Sequence, residues 1–228
     1  VNSGRALIEP PLASTDVGYD AEMETQKVSR KSGLYIAVNP GASASTARKP
    51  DGTTVAIPAG GILAFKKDGT VVQLPGTPGH SAYATDTNLA INTVVQIKPD
   101  QMKDLRRHVS SYNFSAARSG GNTYAAKDID VIEVDMNALK KAVDYTVNSA
   151  ATSTVYANYR ASSTSNVALD AANSIEGFSA ADWNGAVYIE SVDAETRRDS
   201  GVRLINGRGQ VASKSGAAGV ADEGLTLG

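Results

Sequence analysis

Residues 51–58 have the sequence DGTTVAIP, and residues 68–75 repeat the pattern as DGTVVQLP. In each copy an Asp-Gly pair opens a short stretch of alternating character, and a proline ends it. Asp-Gly favours the tight turns of β-hairpins, and proline is confined to strand ends or edges because it has no N–H to donate. The two copies therefore predict hairpin arms of a β-meander, in which residues 62–65 (ILAF) pair with one or both arms.

The sequence before the meander predicts a leader, a helix and a strand. Residues 1–18 contain a Pro-Pro pair and indicate an irregular leader. Residues 20–32 predict a polar helix, with Asp20 as its N-cap and Gly33 as its C′ residue. Residues 34–38 (LYIAV) then predict an apolar strand.

After the meander, residues 91–97 predict another strand. Residues 98–100 (KPD) place proline and an acid where a helix begins, so they predict a helix start. Apolar residues follow at helical spacing, at Met102, Leu105 and Val109. Residues 129–136 predict a strand with acidic residues on both faces, and Asn137 is expected to cap a further helix. That helix has one apolar stripe, formed by Leu139, Ala142, Val143 and Val147.

The C-terminal part returns to β-structure. Segments 186–189, 201–205 and 225–227 are short, apolar and preceded or followed by Asn-Gly or Glu-Gly turns. We expect them to stack as neighbouring strands, with a short β-helix as one arrangement. Because the last segment ends just as a strand begins and the chain starts without Met, we expect this sequence to be part of a longer protein.

These patterns predict a β-rich α+β fold, with an antiparallel meander, stacked C-terminal strands and two or three short helices. We divide the sequence into an irregular leader at 1–18, a helix plus β-meander region at 19–110, and a β-rich C-terminal region at 111–228.

The composition excludes several classes of function. With 22 basic and 24 acidic residues, the chain lacks the basic surplus typical of nucleic-acid binding. It has no cysteine, so it offers neither disulfides nor thiolate metal ligands. Its apolar runs are far shorter than the ~20 residues that cross a bilayer. We therefore expect no nucleic-acid partner and no membrane span within this sequence.

Residues for catalysis are scarce. The two histidines are His80, which we expect to be a solvated loop residue, and His108, which we expect at a helix C-terminus. No Gly-x-Ser-x-Gly motif accompanies them, so we predict no catalytic residues and no cofactor.

An acidic segment offers the main alternative. Residues 128–135 contain four carboxylates, at Asp128, Asp130, Glu133 and Asp135. Two of these carboxylates together could bind Ca²⁺, for which Asp128 and Asp130 are the candidates. A pair among the four could also act in glycoside hydrolysis. Alternating acids and branched residues are, however, typical of a strand with one wet face, and we favour that interpretation.

A family resemblance is carried by short motifs in strand and turn segments. They are 34–38 (LYIAV), 111–118 (SYNFSAAR), 129–139 (IDVIEVDMNAL), 183–189 (WNGAVYI), 201–207 (GVRLING) and 224–227 (GLTL). In this order they resemble the extracellular region of PilX-type proteins associated with bacterial type IV pili. The resemblance implies a cell-surface, pilus-associated module without catalysis, and it transfers no active-site residues.

The leading hypothesis is a non-enzymatic structural or adhesive component of a bacterial surface filament, located outside the cell. Its partners would be other subunits of a surface assembly, and a host surface or polysaccharide. The same composition suits a phage virion protein, such as a head-decoration or tail component. A third hypothesis is an extracellular domain that binds or cleaves polysaccharide. Tyr156, Tyr159 and Trp183 are the candidate partner contacts, since aromatic residues are enriched at interaction sites.

Trp183 gives the sharpest prediction from sequence. We expect its ring to pack against the C-terminal strands and the helix bearing Leu139 and Val143, rather than at an exposed contact surface. Trp183→Ala should then lower the free energy of unfolding by ~3 to 5 kcal/mol. Tryptophan fluorescence and a denaturation midpoint measure this. A red-shifted native emission with an unchanged midpoint would instead place the ring on the surface.

Overall fold

A β-rich fold is seen in a computed structural model of the chain. The structure describes residues 7–81, 83, 94–104, 127–147, 174–192, 200–206 and 226–227. Within these ranges it has ten strands in three sheets and three short helices. The predicted β-rich α+β class is confirmed.

The helices are α1 (Ala21–Gln26), α2 (Val28–Lys31) and α3 (Met136–Val147). The first five strands are β1 (Leu34–Val38), β2 (Ser45–Arg48), β3 (Thr54–Ile57), β4 (Ile62–Lys66) and β5 (Val71–Val72). The other five are β6 (Val95–Asp104), β7 (Lys127–Asp135), β8 (Ala186–Ser191), β9 (Ser200–Ile205) and β10 (Thr226–Leu227).

The central strand of the main sheet is β1. The sheet has the order β10-β8-β1-β4-β5, in which β4 is antiparallel to β1 and β8 is parallel to it. Ile36, in the middle of β1, lies opposite Ala64 on one side and Ile189 on the other. All five β1 residues are fully buried, as an apolar strand covered on both faces requires.

Each face of β1 belongs to a different apolar cluster. Leu34 and Ile36 pack in the larger cluster, together with side chains of α3, β7 and β8. Tyr35 packs in the smaller cluster, with Ala47 of β2 and Ile57 of β3. Alternate side chains of β1 therefore pack on opposite faces, against α3 and the second sheet on one side and against the β2–β3 hairpin on the other.

The second sheet has the order β6-β7-β9, with β6 antiparallel and β9 parallel to the middle strand. Its Ile132 and Val134 are fully buried in the larger cluster. Each of these two sheets contains strands from both predicted regions, 19–110 and 111–228.

Both Asp-Gly repeats form turns as predicted. Asp51 Oδ1 accepts a hydrogen bond from the Thr53 amide at 2.8 Å, and Asp68 Oδ1 accepts one from the Thr70 amide at 2.9 Å. The intervening glycine of each turn, Gly69 for example with φ 84°, has the positive φ that favours glycine. The predicted pairing holds for one arm only: β4 pairs with β5, whereas β3 pairs with β2 in a separate hairpin.

The predicted helix from residue 98 is wrong over its described part, because β6 continues as a strand to Asp104. The register against β7 shifts between Lys98 and Met102. This irregularity contains Pro99, and a bulge is one of the few places in a sheet that tolerates proline. Residues 105–126, which include His108, lie outside the described residues.

The N-terminal helix is divided in two. Asp20 is its N-cap, as predicted, with Oδ1 accepting from the amides of Glu22 and Met23. Lys27, however, has φ −59° and ψ 136°, so α1 ends there and α2 follows. Gly33 follows the C-cap Ser32 but does not have a positive φ, so its conformation is not that of a left-handed C′ glycine.

Helix α3 is capped by a different residue from the one predicted. It begins at Met136, and the carboxylate of Asp135 accepts a hydrogen bond from the Ala138 amide at 2.9 Å. Asn137 lies inside the first turn instead. An acid directly before a helix satisfies an otherwise unpaired N–H and interacts favourably with the helix dipole.

The three C-terminal strands do not form one stack. Strands β8 and β10 are parallel neighbours, as expected. Strand β9 pairs with β7 in the second sheet, where Arg203 lies opposite Glu133. Because β9 pairs with β7, it lies in a different sheet from β8 and β10.

Trp183 lies in the core, as predicted from sequence. Only 1% of it is exposed, and it belongs to the same cluster as Leu139 and Val143. Its ring meets Phe178 edge-on, with 6.5 Å between the centroids. A direct contact of this ring with a partner would require a change in the structure.

The central position of β1 makes Ile36 a sensitive site. Ile36→Ala should lower the free energy of unfolding by ~2 to 5 kcal/mol, because it removes buried apolar atoms and leaves a cavity. Urea denaturation measures the loss. The control is Val17→Ala in the leader, a fully exposed site at which the change should stay within ~0.5 kcal/mol. Similar small effects at both sites would contradict the assignment of β1 as the central strand.

Candidate functional site

The acidic strand β7 is used for internal pairing at Glu133. This carboxylate is only 4% exposed, and Arg203 of β9 donates to its Oε2 from both Nε, at 3.0 Å, and Nη2. A buried carboxylate needs such a charged partner, since water no longer solvates it. Glu133 therefore links β7 to β9, and its carboxylate is not accessible to a substrate in solvent.

Asp135 also has a structural environment. One carboxylate oxygen caps α3, and the other accepts from the Asn206 side chain at 2.7 Å. Asp128 lies opposite Lys103 and Asp130 opposite Ser200 in the sheet, while the contacts of their side chains lie outside the described residues. Within the described part of the chain, no group of three or more His, Asp or Glu side chains could hold a metal ion.

His80 is buried, which corrects the expectation of a solvated loop residue. Only 3% of it is exposed, and its Nε2 lies 2.9 Å from the Ser174 carbonyl oxygen. Because a carbonyl oxygen can only accept, this nitrogen is the donor. Nδ1 lies 3.8 Å from the Glu176 carboxylate. The ring thus joins the loop after β5 to the segment that precedes Trp183.

Ser81 completes this loop cluster but does not form a catalytic triad. Its hydroxyl and amide both donate to the Glu176 carboxylate. Burial raises the pKa of Glu176, but the Ser81 hydrogen bonds and the nearby His80 ring outweigh it, so the pKa lies below its ordinary value. In a triad the serine would instead donate to the histidine base. The three side chains therefore tie two loops together.

Among the described residues, the most extensive polar site holds the leader against α1 and α2. We call it the leader clamp and define it by Glu24, Lys27, Ser29, Arg30 and Tyr188. Four of these side chains donate to main-chain carbonyls of the leader: Tyr188 to Ile8, Ser29 to Glu9, Lys27 to Pro10, and Arg30 to Leu12. The fifth, Glu24, accepts from the Leu12 amide at 2.9 Å.

Glu24 is the electrostatic centre of the leader clamp. Its carboxylate is 2.5 Å from Lys27 Nζ and 2.8 Å from Arg30 Nε, and only 3% of the residue is exposed. Burial raises its pKa, but the hydrogen bonds from Lys27, Arg30 and the Leu12 amide together hold that pKa below its ordinary value. The charged form is therefore the one that stabilises the folded chain.

A further buried carboxylate, Glu190, lies among aromatic rings close to the leader clamp. Tyr35 donates to Glu190 Oε2 at 2.5 Å, and both residues are buried. The Tyr35 ring also packs against Tyr188, with 4.9 Å between centroids. Because Tyr188 holds Ile8 of the leader, this aromatic group connects the core of the sheet to the leader clamp.

Sequence reasoning missed the buried carboxylates of Glu24 and Glu190. The signal for Glu24 was its spacing with Lys27 and Arg30, at i, i+3 and i+6. Because we predicted one continuous polar helix, we assigned these side chains to its surface. The signal for Glu190 was its position two residues after Tyr188, since alternate residues of a strand lie on the same face. Neither pattern states which distant segment the side chains meet.

Of the predicted partner contacts, Trp183 is buried, and Tyr156 and Tyr159 lie outside the described residues. Exposed apolar side chains occur elsewhere, notably Val202 (55% exposed) and Leu204 (49% exposed) on β9. Among the helices that the structure describes, none is both long and apolar enough to cross a membrane.

No protein-family model, curated protein or solved structure matches the chain. The resemblance to type IV pilus-associated proteins therefore rests on the motifs quoted above and stays a prediction.

The leader clamp predicts a pH-dependent stability. Glu24→Gln should lower the free energy of unfolding by ~3 kcal/mol at neutral pH, because Lys27 and Arg30 lose their buried counter-charge. A lowered folded-state pKa means that the stabilisation is complete above the ordinary value of 4.5 and is lost as the pH falls through the folded-state pKa. The difference between the two proteins in urea denaturation should shrink below pH 4.5.

Glu22→Gln, an exposed change in the same helix, is the matched control and should have little effect at any pH. A stability difference for Glu24→Gln that stays constant down to the acid limit would contradict this role of Glu24.

Proposed function

We propose that the chain is a non-enzymatic structural module of a bacterial surface filament of the type IV pilus-associated kind. The observation that carries the proposal is the location of the motifs that resemble that family. Segments 34–38, 186–189 and 226–227 lie in β1, β8 and β10 of the main sheet, and 129–135 and 201–205 lie in β7 and β9 of the second sheet. The resemblance thus concerns the scaffold, as expected for a protein whose role is to hold a shape.

The use of charged side chains supports the same proposal. Glu133 is ion-paired with Arg203, Asp135 caps α3, and Glu24 fastens the leader. Carboxylates that carry out glycoside hydrolysis need access to a sugar and a defined separation from each other. Glu133 and Asp135, two of the four candidates for such chemistry, instead stabilise contacts between secondary-structure elements.

Anchoring of the leader is a further supporting feature. The leader clamp binds main-chain atoms of Ile8, Glu9, Pro10 and Leu12, so this part of the leader is fixed on the folded body. A module attached to a filament through its N-terminal side would need such a fixed segment. A flexible leader would leave its orientation open.

Single-cysteine labelling tests the proposal in the cells that make the protein. The 228-residue sequence has no cysteine, and Val17 is fully exposed, so Val17→Cys introduces a thiol at a known surface site. A membrane-impermeant maleimide should label this variant on intact cells, and the labelled protein should be recovered with sheared surface filaments. The unmodified protein measures background labelling.

Ala47→Cys is the matched control, because Ala47 is fully buried and its thiol should react only after denaturation. Labelling of Val17→Cys that requires cell lysis would contradict an extracellular location. Recovery of the labelled protein with phage particles, and not with filaments, would favour the virion hypothesis over the pilus-associated one.

A further inference from the structure

Asn184 joins three segments at one end of the main sheet. Its Oδ1 accepts from the Gly33 amide at 2.8 Å and from the Ala186 amide at 3.2 Å. Its Nδ2 donates to the Lys31 carbonyl at 2.6 Å. We call this set of three hydrogen bonds the Asn184 clasp. It connects the end of α2 and the start of β1 to the start of β8, where the parallel pair of strands begins.

The clasp leaves no space for a side chain at residue 33. A Cβ added to Gly33 would lie 2.5 Å from the Asp182 carbonyl oxygen and 2.8 Å from Asn184 Oδ1. The close approach of the two backbones, and not a left-handed conformation, therefore explains the glycine. Asn184 itself is exposed, so water reaches the clasp from outside.

We propose that Asn184-Gly185 is a self-modification site, at which the side-chain amide is lost by deamidation when the clasp opens. Asparagine followed by glycine is the dipeptide best suited to this reaction, since glycine has no side chain to hinder attack by its own nitrogen. The only co-reactant is water. The proposal does not depend on the filament role.

The reaction balances without an oxidant or reductant. The Gly185 nitrogen loses its proton and forms a bond to Asn184 Cγ, the bond from Cγ to Nδ2 breaks, and Nδ2 leaves as ammonia with that proton. Water then opens the five-membered imide at either carbonyl. The product is aspartate or isoaspartate at position 184.

The clasp controls the reaction because attack requires the side-chain amide to turn toward the Gly185 nitrogen. In the folded chain that amide is fixed by hydrogen bonds to Lys31, Gly33 and Ala186. Local opening must break these bonds first, so the modification rate follows the fraction of molecules with an open clasp.

Modification would make the opening permanent. In the product a carboxylate oxygen replaces Nδ2, and it faces the Lys31 carbonyl oxygen, which can only accept. The isoaspartate form also inserts one main-chain carbon just before β8, which shifts the strand relative to β1. The clasp therefore functions as a one-way latch between the two strands.

Peptide mapping by mass spectrometry during incubation at mildly alkaline pH tests the proposal. Deamidation at Asn184 should be at least ~10-fold slower in the folded protein than in the same protein unfolded in urea. Folded Gly33→Ala, in which the added Cβ disrupts the clasp, should react at a rate between the two. Asn206-Gly207 is the internal reference, and its rate in the folded protein should be the same in both variants.

Equal rates at Asn184 in folded and unfolded protein, or no reaction in either, would overturn the proposal. A folded Gly33→Ala that reacts at the wild-type rate would also overturn it. If Gly33→Ala does not fold, hydrogen exchange of the Gly33 amide in the wild-type protein is measured instead. This amide becomes exposed when the Asn184 clasp opens. Exchange and deamidation should then rise together with sub-denaturing urea, and a rise in exchange alone would refute the latch.

Discussion

Complete burial of β1 is the constraint on which the rest of the structure depends. A strand that is buried on both faces and bordered on both edges must have an apolar layer on each side and a hydrogen-bonding partner at each edge. Here β4 supplies one edge locally, whereas β8 supplies the other from more than a hundred residues away. Segment 186–191 must therefore be in place before Leu34–Val38 is fully satisfied, which makes the fold dependent on one long-range pairing.

Buried charges reinforce this arrangement around the core. Glu24 fastens the leader, Glu133 joins β7 to β9, and Glu190 of β8 accepts a hydrogen bond from Tyr35 of β1. Glu133 and Glu190 connect strands that are far apart in sequence, and Glu24 connects the leader to the helices that follow it. Removal of one partner would leave an uncompensated charge in a poorly hydrated place, so these contacts favour one arrangement of the segments over its competitors. Such a rigid scaffold is consistent with the structural role proposed for the chain.

Local signals in the sequence predicted much of the local structure, and non-local contacts account for the failures at residues 98–104 and His80. The Asp-Gly turns and the N-cap Asp20 depend on neighbouring residues only, and the apolar run LYIAV predicted a strand although not its partners. The helix expected to start at residue 98 was wrong over its described part, because pairing with β7 overrides the local preference, and Pro99 lies at an irregularity in that pairing. His80 looked solvated because its flanking residues form loops, yet its partners, Ser174 and Glu176, lie about ninety residues away. The polar clusters were missed for the same reason.

Native-state hydrogen exchange tests the central claim most directly, because it reports the opening free energy of each strand separately. If β1 and β8 depend on each other, amides of Leu34–Val38 and of 187–191 should exchange with one common opening free energy, the highest among the described strands. That value should equal the global free energy of unfolding from urea denaturation. The contradicting result would be β8 amides that exchange through a much smaller opening while β1, β4 and β5 stay protected.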